Sequence, residues 1–163
     1  MYFGIYNNHT IKNWIPKGKQ PIIIGCLSKN EYQTSKIDIH HQTTKTKILL
    51  LDIEDKHYLT EENAQQLNNF IVNNEFDEII TFCALGISRS PAIMICISKI
   101  IKAPIIEKII KENYKNYNKH IVKDFENYPY QTKTLNINTF TPENIIKQKE
   151  EDKEKTKTII IKY

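Results

Sequence analysis

The chain has 163 residues, which suits one domain with a hydrophobic core and leaves little room for a second. Its net charge of +4 is compatible with phosphorylated partners, but the lysines are scattered among acidic residues and we expect no nucleic-acid partner. Three widely spaced cysteines argue against a disulfide framework, and the sequence shows neither a signal peptide nor a stretch of transmembrane length. We therefore expect a cytoplasmic protein with no membrane partner.

Three strands are predicted in the first third of the chain. They cover Tyr2 to Tyr6, Gln20 to Ser28 and Lys47 to Ile53, which are rich in β-branched or aliphatic residues. Between the first two strands, His9 to Ile15 fits a short helix. The segment Lys29 to Lys47 is polar and predicts a loop.

A helix and a fourth strand come next. Thr60 is a good helix N-cap, and the helix is predicted from about Glu61 to Asn73. Its apolar face is formed by Ala64, Leu67, Phe70 and Ile71. Glu78 to Phe82 is apolar and too short for a helix, so strand, helix and strand predict a βαβ unit with a right-handed crossover.

The stretch after the fourth strand carries the residues best suited to chemistry. Cys83 ends the strand, Gly86 lies in a loop, and Ser90 and Pro91 favour the start of a helix. Arg89 is the only arginine among 23 basic residues, and its planar fork can bind phosphate through two parallel hydrogen bonds. A strand–loop–helix gathers backbone N–H groups and a helix N-terminus at one point, so the pattern predicts an anion site beside a nucleophilic thiolate.

These residues resemble a known family. The run Cys83-Ala84-Leu85-Gly86-Ile87-Ser88-Arg89-Ser90 fits the Cys-x5-Arg-Ser/Thr signature of the protein tyrosine phosphatase superfamily. The residues Gly86-x-Ser88-Arg89-Ser90-Pro91 are most similar to the small dual-specificity branch of that superfamily, which includes compact bacterial and viral members. The resemblance covers about Tyr2 to Tyr128 and implies an α/β fold. A central, mostly parallel sheet would be flanked by helices, with the phosphate-binding loop between a strand and the central helix.

The resemblance also implies the chemistry. Cys83 would attack phosphorus and form a phosphocysteine, and Ser90 would ease the departure of the thiolate. Arg89 and the backbone of the loop would bind the phosphate; that loop comprises Cys83, Ala84, Leu85, Gly86, Ile87, Ser88 and Arg89. The loop carries no further basic residue, which favours singly phosphorylated protein residues (phosphotyrosine, phosphoserine or phosphothreonine) over polyphosphorylated substrates.

A general acid must come from elsewhere in the chain. In the family it is an aspartate on the loop after the preceding strand, about thirty residues before the cysteine. Asp52 is the first choice, Asp55 is the rival and Glu54 is third. The chain departs from the family at Phe82, where a histidine usually supports the loop.

The rest of the chain divides into a helical part and a charged extension. Further helices are predicted over Pro104 to Tyr117 and His120 to Tyr128. We assign residues 1–130 to a phosphatase-like domain and 131–163 to a C-terminal extension, which is either a solvated appendage or a partner-binding segment. Within it, Thr141-Pro142-Glu143 predicts a helix start before the charged run to Lys157, and 158–163 fits a short strand.

No cofactor or metal is expected. His40 and His41 are adjacent, so their side chains point apart, and no Cys or Glu stands at a ligand spacing from them. Cys26 and Cys96 lie in apolar stretches and are predicted to be inert core thiols. Two alternatives to a protein phosphatase stay open: a phosphate-recognising module without turnover, and a phosphatase acting on RNA 5′ ends or nucleotides. A cysteine-dependent arsenate reductase is a remote further one.

Overall fold

The structure is a computed structural model that describes residues 1–35, 45–54, 58–135, 145–147 and 159–162. Within these residues the strands are β1 (Tyr2–Asn7), β2 (Pro21–Leu27), β3 (Lys47–Asp52), β4 (Glu78–Cys83), β5 (Ile145–Lys147) and β6 (Ile159–Lys162). The helices are α1 (Lys29–Ser35), α2 (Glu61–Asn73), α3 (Arg89–Ile100), α4 (Pro104–Asn113) and α5 (Lys119–Asn127), with a 3-10 helix at Thr10–Asn13. None of the described helices has the length and apolar character needed to cross a membrane.

The strands form one sheet in the order β3-β2-β4-β1-β6-β5. The first four are parallel, whereas β6 is antiparallel to β1 and β5 is antiparallel to β6. The expected α/β fold with a mostly parallel central sheet is therefore confirmed. Because the four parallel strands share a direction, their carboxyl ends meet at one edge, where open α/β sheets bind ligands.

Alternate residues of each strand face opposite sides of the sheet, and both sides are covered. In β2, Ile22, Ile24 and Cys26 face the larger core, which also contains the apolar residues of α2 to α5. Ile23 and Leu27 face the smaller core with Trp14 and the 3-10 helix. This two-sided burial explains why β2 has no polar side chain and why β4 has only two, Glu78 and Thr81.

Two helices position the site. α2 begins as predicted at Thr60, whose side chain accepts a hydrogen bond from the backbone N–H of Asn63. α3 is buried on nearly every side and packs against α2, α4, α5 and the strands. Its start is therefore fixed at the carboxyl edge of the sheet by the core around it.

The predicted loop over Lys29 to Lys47 is wrong at its beginning, because Lys29–Ser35 is helical. Ser28 and Glu31 form a capping box: the N–H of Glu31 donates to Ser28 Oγ at 3.3 Å, and the N–H of Ser28 donates to Glu31 Oε2 at 2.7 Å. These reciprocal bonds satisfy backbone donors that a helix start leaves without partners, so they stabilise α1 although it has no buried residue.

Part of the C-terminal extension belongs to the sheet. The strand predicted over 158–163 is confirmed by β6, whose backbone pairs with β1 from Ile5 to Tyr2. The helix predicted after Pro142 is wrong at Ile145–Lys147, which pair with β6, while its start at Thr141-Pro142-Glu143 lies outside the described residues. The solvated appendage considered for the extension therefore does not describe residues 159–162.

Candidate active site

The loop between β4 and α3 lies at the carboxyl edge of the sheet. Cys83 is the last residue of β4 and Arg89 the first of α3, so five residues join the strand to the helix. Cys83 pairs with Asn7 of β1, and its side chain belongs to the larger core, where it is almost fully buried. The strand thus fixes the sulfur beneath the start of the helix.

Two groups, one in the loop and one in the first turn of α3, contact the sulfur of Cys83. The backbone N–H of Gly86 donates to Sγ at 3.2 Å, and Ser90 Oγ lies 3.2 Å from Sγ, where either atom can donate. Hydrogen bonds to sulfur stabilise negative charge on it, both before attack and when it leaves. The structure therefore brings Cys83, Gly86 and Ser90 together as the sequence predicted.

Gly86 is required by the shape of the loop. Its φ is +71°, a left-handed conformation that side chains disfavour. A Cβ at this position would lie 3.0 Å from the backbone oxygen of Tyr6, which is closer than nearly all real contacts. The loop folds back over the end of β1, and this close approach points the N–H of Gly86 at the sulfur.

Neighbouring elements hold the rest of the loop. The N–H of Asn8 donates to the carbonyl oxygen of Ala84 at 3.4 Å, and the N–H of Asn118 donates to that of Ser88 at 3.1 Å. The side chains of Leu85 and Ile87 are exposed. The loop is thus tied to the end of β1 and the start of α5, and these two exposed side chains are apolar.

Arg89 is buried and forms a two-point ion pair with Glu31. Its Nη1 and Nη2 donate to the two carboxylate oxygens at 2.6 and 2.8 Å, and Nη1 also donates to the carbonyl oxygen of Ile53 at 2.8 Å. Hydrogen bonding from Arg89 lowers the pKa of Glu31 to about 2. A phosphate bound by this arginine would contact the Nε–Nη2 edge, because the carboxylate lies on the Nη1–Nη2 edge.

Sequence reasoning missed Glu31. The signal was present, since Ser28 and Glu31 stand at the Ser-x-x-Glu spacing of a capping box. Its contact with Arg89 spans 58 positions of the chain and has no local signature. One carboxylate therefore caps α1 and positions the arginine of the loop.

The first choice for general acid, Asp52, is engaged at the start of α1. Its Oδ1 accepts a hydrogen bond from the N–H of Lys29 at 3.0 Å, and its Oδ2 lies 3.9 Å from Lys29 Nζ. In this position the Asp52 carboxylate caps the turn before α1, which is the structural alternative to a role as general acid. Glu54 is exposed, and Asp55 lies outside the described residues. The identity of the acid stays a prediction.

Phe82 lies on the opposite face of β4 from Cys83. It pairs with Gly25 of β2, and a Cβ on that glycine would stand 2.7 Å from the ring of Phe82. The hydroxyl of Tyr32 on α1 closes the same space, donating to the carbonyl oxygen of Leu51 at 3.1 Å. The missing Gly25 side chain thus makes room for the ring of Phe82, and the loop keeps its contacts to the sulfur of Cys83.

No protein-family model, no curated protein and no solved structure matches this chain. Among the described residues, no group of three His, Cys, Asp or Glu side chains could hold a metal ion. His40 and His41 lie outside those residues.

Proposed function

We propose that this protein is a cysteine-dependent phosphatase that hydrolyses phosphate monoesters on proteins through a phosphocysteine intermediate. The observation that carries the proposal is the pair of contacts to Cys83 Sγ, from the N–H of Gly86 and from Ser90 Oγ, in a strand–loop–helix whose helix begins with the buried Arg89. A core thiol needs none of these neighbours, whereas a nucleophile needs stabilised charge and an anion-binding fork.

Each residue has a defined task in the proposed reaction. Cys83 attacks phosphorus in line with the leaving oxygen, while Arg89 and the loop backbone hold the equatorial phosphate oxygens. The loop backbone runs through Ala84, Leu85, Gly86, Ile87 and Ser88. An acid protonates the leaving oxygen, and the same group then activates the water that cleaves the phosphocysteine. Ser90 stabilises the thiolate as it departs.

The substrate proposed is a singly phosphorylated side chain of a protein. The loop between Cys83 and Arg89 has no lysine or arginine to meet a second phosphate. Its exposed side chains, Leu85 and Ile87, are apolar and would contact the residues that flank the phosphate. The family resemblance and the reducing environment expected for a free, reactive cysteine agree with a phosphoprotein substrate in the cytoplasm.

Hydrolysis of an aryl phosphate by wild type, Cys83→Ser and Cys96→Ser tests the proposal. We expect Cys83→Ser to fall to the uncatalysed rate and Cys96→Ser, which removes another buried thiol, to stay active. Arg89→Ala should lower kcat/KM by about 10²–10³, the loss typical for one transition-state donor. Equal rates for wild type and Cys83→Ser would reject the proposal, and preference for a triphosphorylated oligonucleotide over a phosphopeptide would redirect it to RNA ends.

The general acid can be identified by comparing the hydrolysis of substrates with different leaving groups. A nitrophenolate leaves without protonation, whereas the oxygen of serine does not, so loss of the acid should affect phosphoserine peptides far more. We expect Asp52→Asn or Asp55→Asn, whichever removes the acid, to slow phosphopeptide hydrolysis by about 10²–10⁴ with little effect on nitrophenyl phosphate.

Two observations favour a second candidate, a phosphate-recognising module without turnover. The Asp52 carboxylate is bonded to Lys29, and Phe82 stands where a supporting histidine is usual. Such a module would bind a phosphopeptide in a manner abolished by Arg89→Ala and would show no hydrolysis. Measurable turnover that depends on Cys83 excludes it.

A further inference from the structure

The start of α5 lies beside the loop between β4 and α3. The backbone N–H of Asn118, the residue before α5, donates to the carbonyl oxygen of Ser88 at 3.1 Å. Lys119, His120 and Lys123 follow within two turns of the helix, and all three are exposed. Lys123 stands four positions after Lys119 and three after His120, so these residues are neighbours on one side of the helix. We call them the basic face of α5.

We propose that the basic face of α5 binds acidic side chains that flank the phosphorylated residue of a substrate peptide. The inference rests on the proposed phosphatase function and narrows its substrate class to phosphorylated sites with aspartate or glutamate nearby. Lys119 and Lys123 are about 6 Å apart along the helix axis. Residues up to three positions from a phosphorylated one lie within about 10 Å of it in an extended peptide, so they match this length.

The charges of the two lysines are not neutralised within the described part of the chain. None of its carboxylates forms an ion pair with Lys119 or Lys123. The acidic residues of α5 are engaged elsewhere: Asp124 accepts a hydrogen bond from a backbone N–H at 3.1 Å, and Glu126 pairs with Lys99 at 2.8 Å. Because exposed positive charge attracts negative groups, an acidic peptide is the partner that complements this face.

Helix stability does not account for these lysines. The N-terminal end of a helix dipole is positive, so acidic residues in the first turn stabilise a helix and basic ones oppose it. α1, α2 and α4 each have an acidic residue in the first turn, whereas α5 has none and begins with Lys119. The backbone N–H groups of His120 and Ile121 already donate to the side chain of Asn118, at 3.0 and 3.2 Å. The lysines, rather than the helix backbone, would therefore bind an acidic group.

Tyr58 connects the basic face with the segment that follows β3. Its ring contacts that of His120 edge-on, with centroids 5.5 Å apart and an interplanar angle of 88°. Tyr58 is itself 65% exposed, so the free part of its ring can pack against a bound peptide. Near the end of β3, by contrast, Lys29 pairs with Asp52 at 3.9 Å. Of these two sides, α5 is the one whose described lysines have no acidic partner.

The test measures the binding of two phosphotyrosine peptides to the Cys83→Ser protein, which lacks the attacking sulfur and keeps Arg89. One peptide carries two aspartates on each side of the phosphotyrosine, and the other carries asparagines in their place. We expect the aspartate peptide to bind about tenfold more tightly in about 50 mM NaCl. The difference should shrink in about 0.5 M NaCl, because salt screens exposed charges.

Charge reversal locates this preference. In the Cys83→Ser protein, Lys119→Glu or Lys123→Glu should each reduce the tenfold ratio to about threefold or less, and the double reversal should favour a peptide with lysines in place of the aspartates. The matched control is Lys108→Glu, which reverses an exposed lysine of α4 and should keep the full ratio.

Thermal unfolding of the same variants separates recognition from folding. Lys119→Glu should raise the Tm by about 1–5 °C while it weakens the preference, because it places a favourable charge at the helix start. A lower Tm would contradict the proposal, since it would show that the fold itself requires the lysine.

Three binding results would also overturn the proposal. Equal binding of the aspartate and asparagine peptides, or binding of neither, shows no acidic preference, and a preference kept by the double reversal places it elsewhere. Tighter binding of a 5′-phosphorylated oligonucleotide, lost in the same variants, assigns the face to nucleic acid. Hydrolysis of an aryl phosphate by wild type is measured alongside. Its absence rejects the proposed function, whereas the peptide comparison needs no turnover, so the two proposals fail separately.

Discussion

At the scale of single residues, the ion pair between Glu31 and Arg89 decides which edge of the guanidinium a phosphate would contact. Arg89 is buried, and Glu31 binds its Nη1 and Nη2 while its own Oε2 caps α1. Replacing the carboxylate by an amide removes the charge and one of the matched acceptors. We expect Glu31→Gln to raise the inhibition constant of inorganic phosphate about tenfold, equivalent to about 1.4 kcal/mol.

The control for this variant is Gln33→Ala, an exposed position on the same helix. It should leave the inhibition constant unchanged. Tighter phosphate binding by Glu31→Gln would contradict the positioning role, because it would show that the carboxylate competes with phosphate for the arginine.

The same pair makes stability depend on pH. The folded-state pKa of Glu31 is lowered from 4.5 to about 2, first of all by hydrogen bonding from Arg89. A lowered pKa contributes stability that is complete above the unfolded value and is lost as pH falls through the folded one. The difference in unfolding free energy between wild type and Glu31→Gln should therefore shrink from pH 5 to pH 2 in urea titrations. A constant difference would contradict the assignment.

At the scale of elements, the strand–loop–helix depends on the backbone of Gly86. Alanine at this position must adopt a φ of +71° and approach the oxygen of Tyr6 to 3.0 Å. We expect Gly86→Ala to destabilise the protein by about 1–2 kcal/mol and to reduce activity strongly, because the N–H would no longer point at Cys83 Sγ. Urea unfolding and aryl phosphate hydrolysis measure the two effects.

Ala84→Gly is the matched control for that loop, since it adds backbone freedom without adding a side chain. It should keep measurable activity. Wild-type activity in Gly86→Ala would show that the loop can supply its donor without the left-handed residue.

The elements that the sequence predicts correctly are those with strong local patterns. The Thr60 cap and the apolar face of α2 locate that helix to the residue, and the apolar run of β4 locates Cys83 at its end. The role of Glu31 depends on a partner 58 positions away, which no local pattern shows. The placement of β6 beside β1 was equally hidden, because the charged run before it dominates the local composition. Both the role of Glu31 and the position of β6 depend on partners that are distant in the sequence.

At the scale of the whole molecule, the extension closes one side of the domain. β6 pairs with the edge of β1, and residues 131–135 contact α2 and the end of α3. The N–H of Gln131 donates a hydrogen bond to Asn68 Oδ1 at 3.0 Å. Lys133 makes two more: its N–H donates to the carbonyl oxygen of Ile100 at 2.8 Å, and its Nζ donates to the carbonyl oxygen of Asn74 at 2.6 Å. A domain boundary at residue 130 would therefore separate Gln131 and Lys133 from the helices that they contact.

Two truncations separate these contributions. A chain ending at residue 135 keeps the contacts of Gln131 and Lys133 but exposes the unpaired edge of β1, so it should associate as its concentration rises. A chain ending at 130 also loses the six hydrogen bonds of Gln131 and Lys133, three of them from one lysine ammonium, and its Tm should fall by about a further 5–10 °C. Both should hydrolyse an aryl phosphate, because every site residue precedes residue 130. Analytical ultracentrifugation and thermal unfolding measure the two effects, and equal Tm values for the two chains would show that residues 131–135 add nothing to the fold.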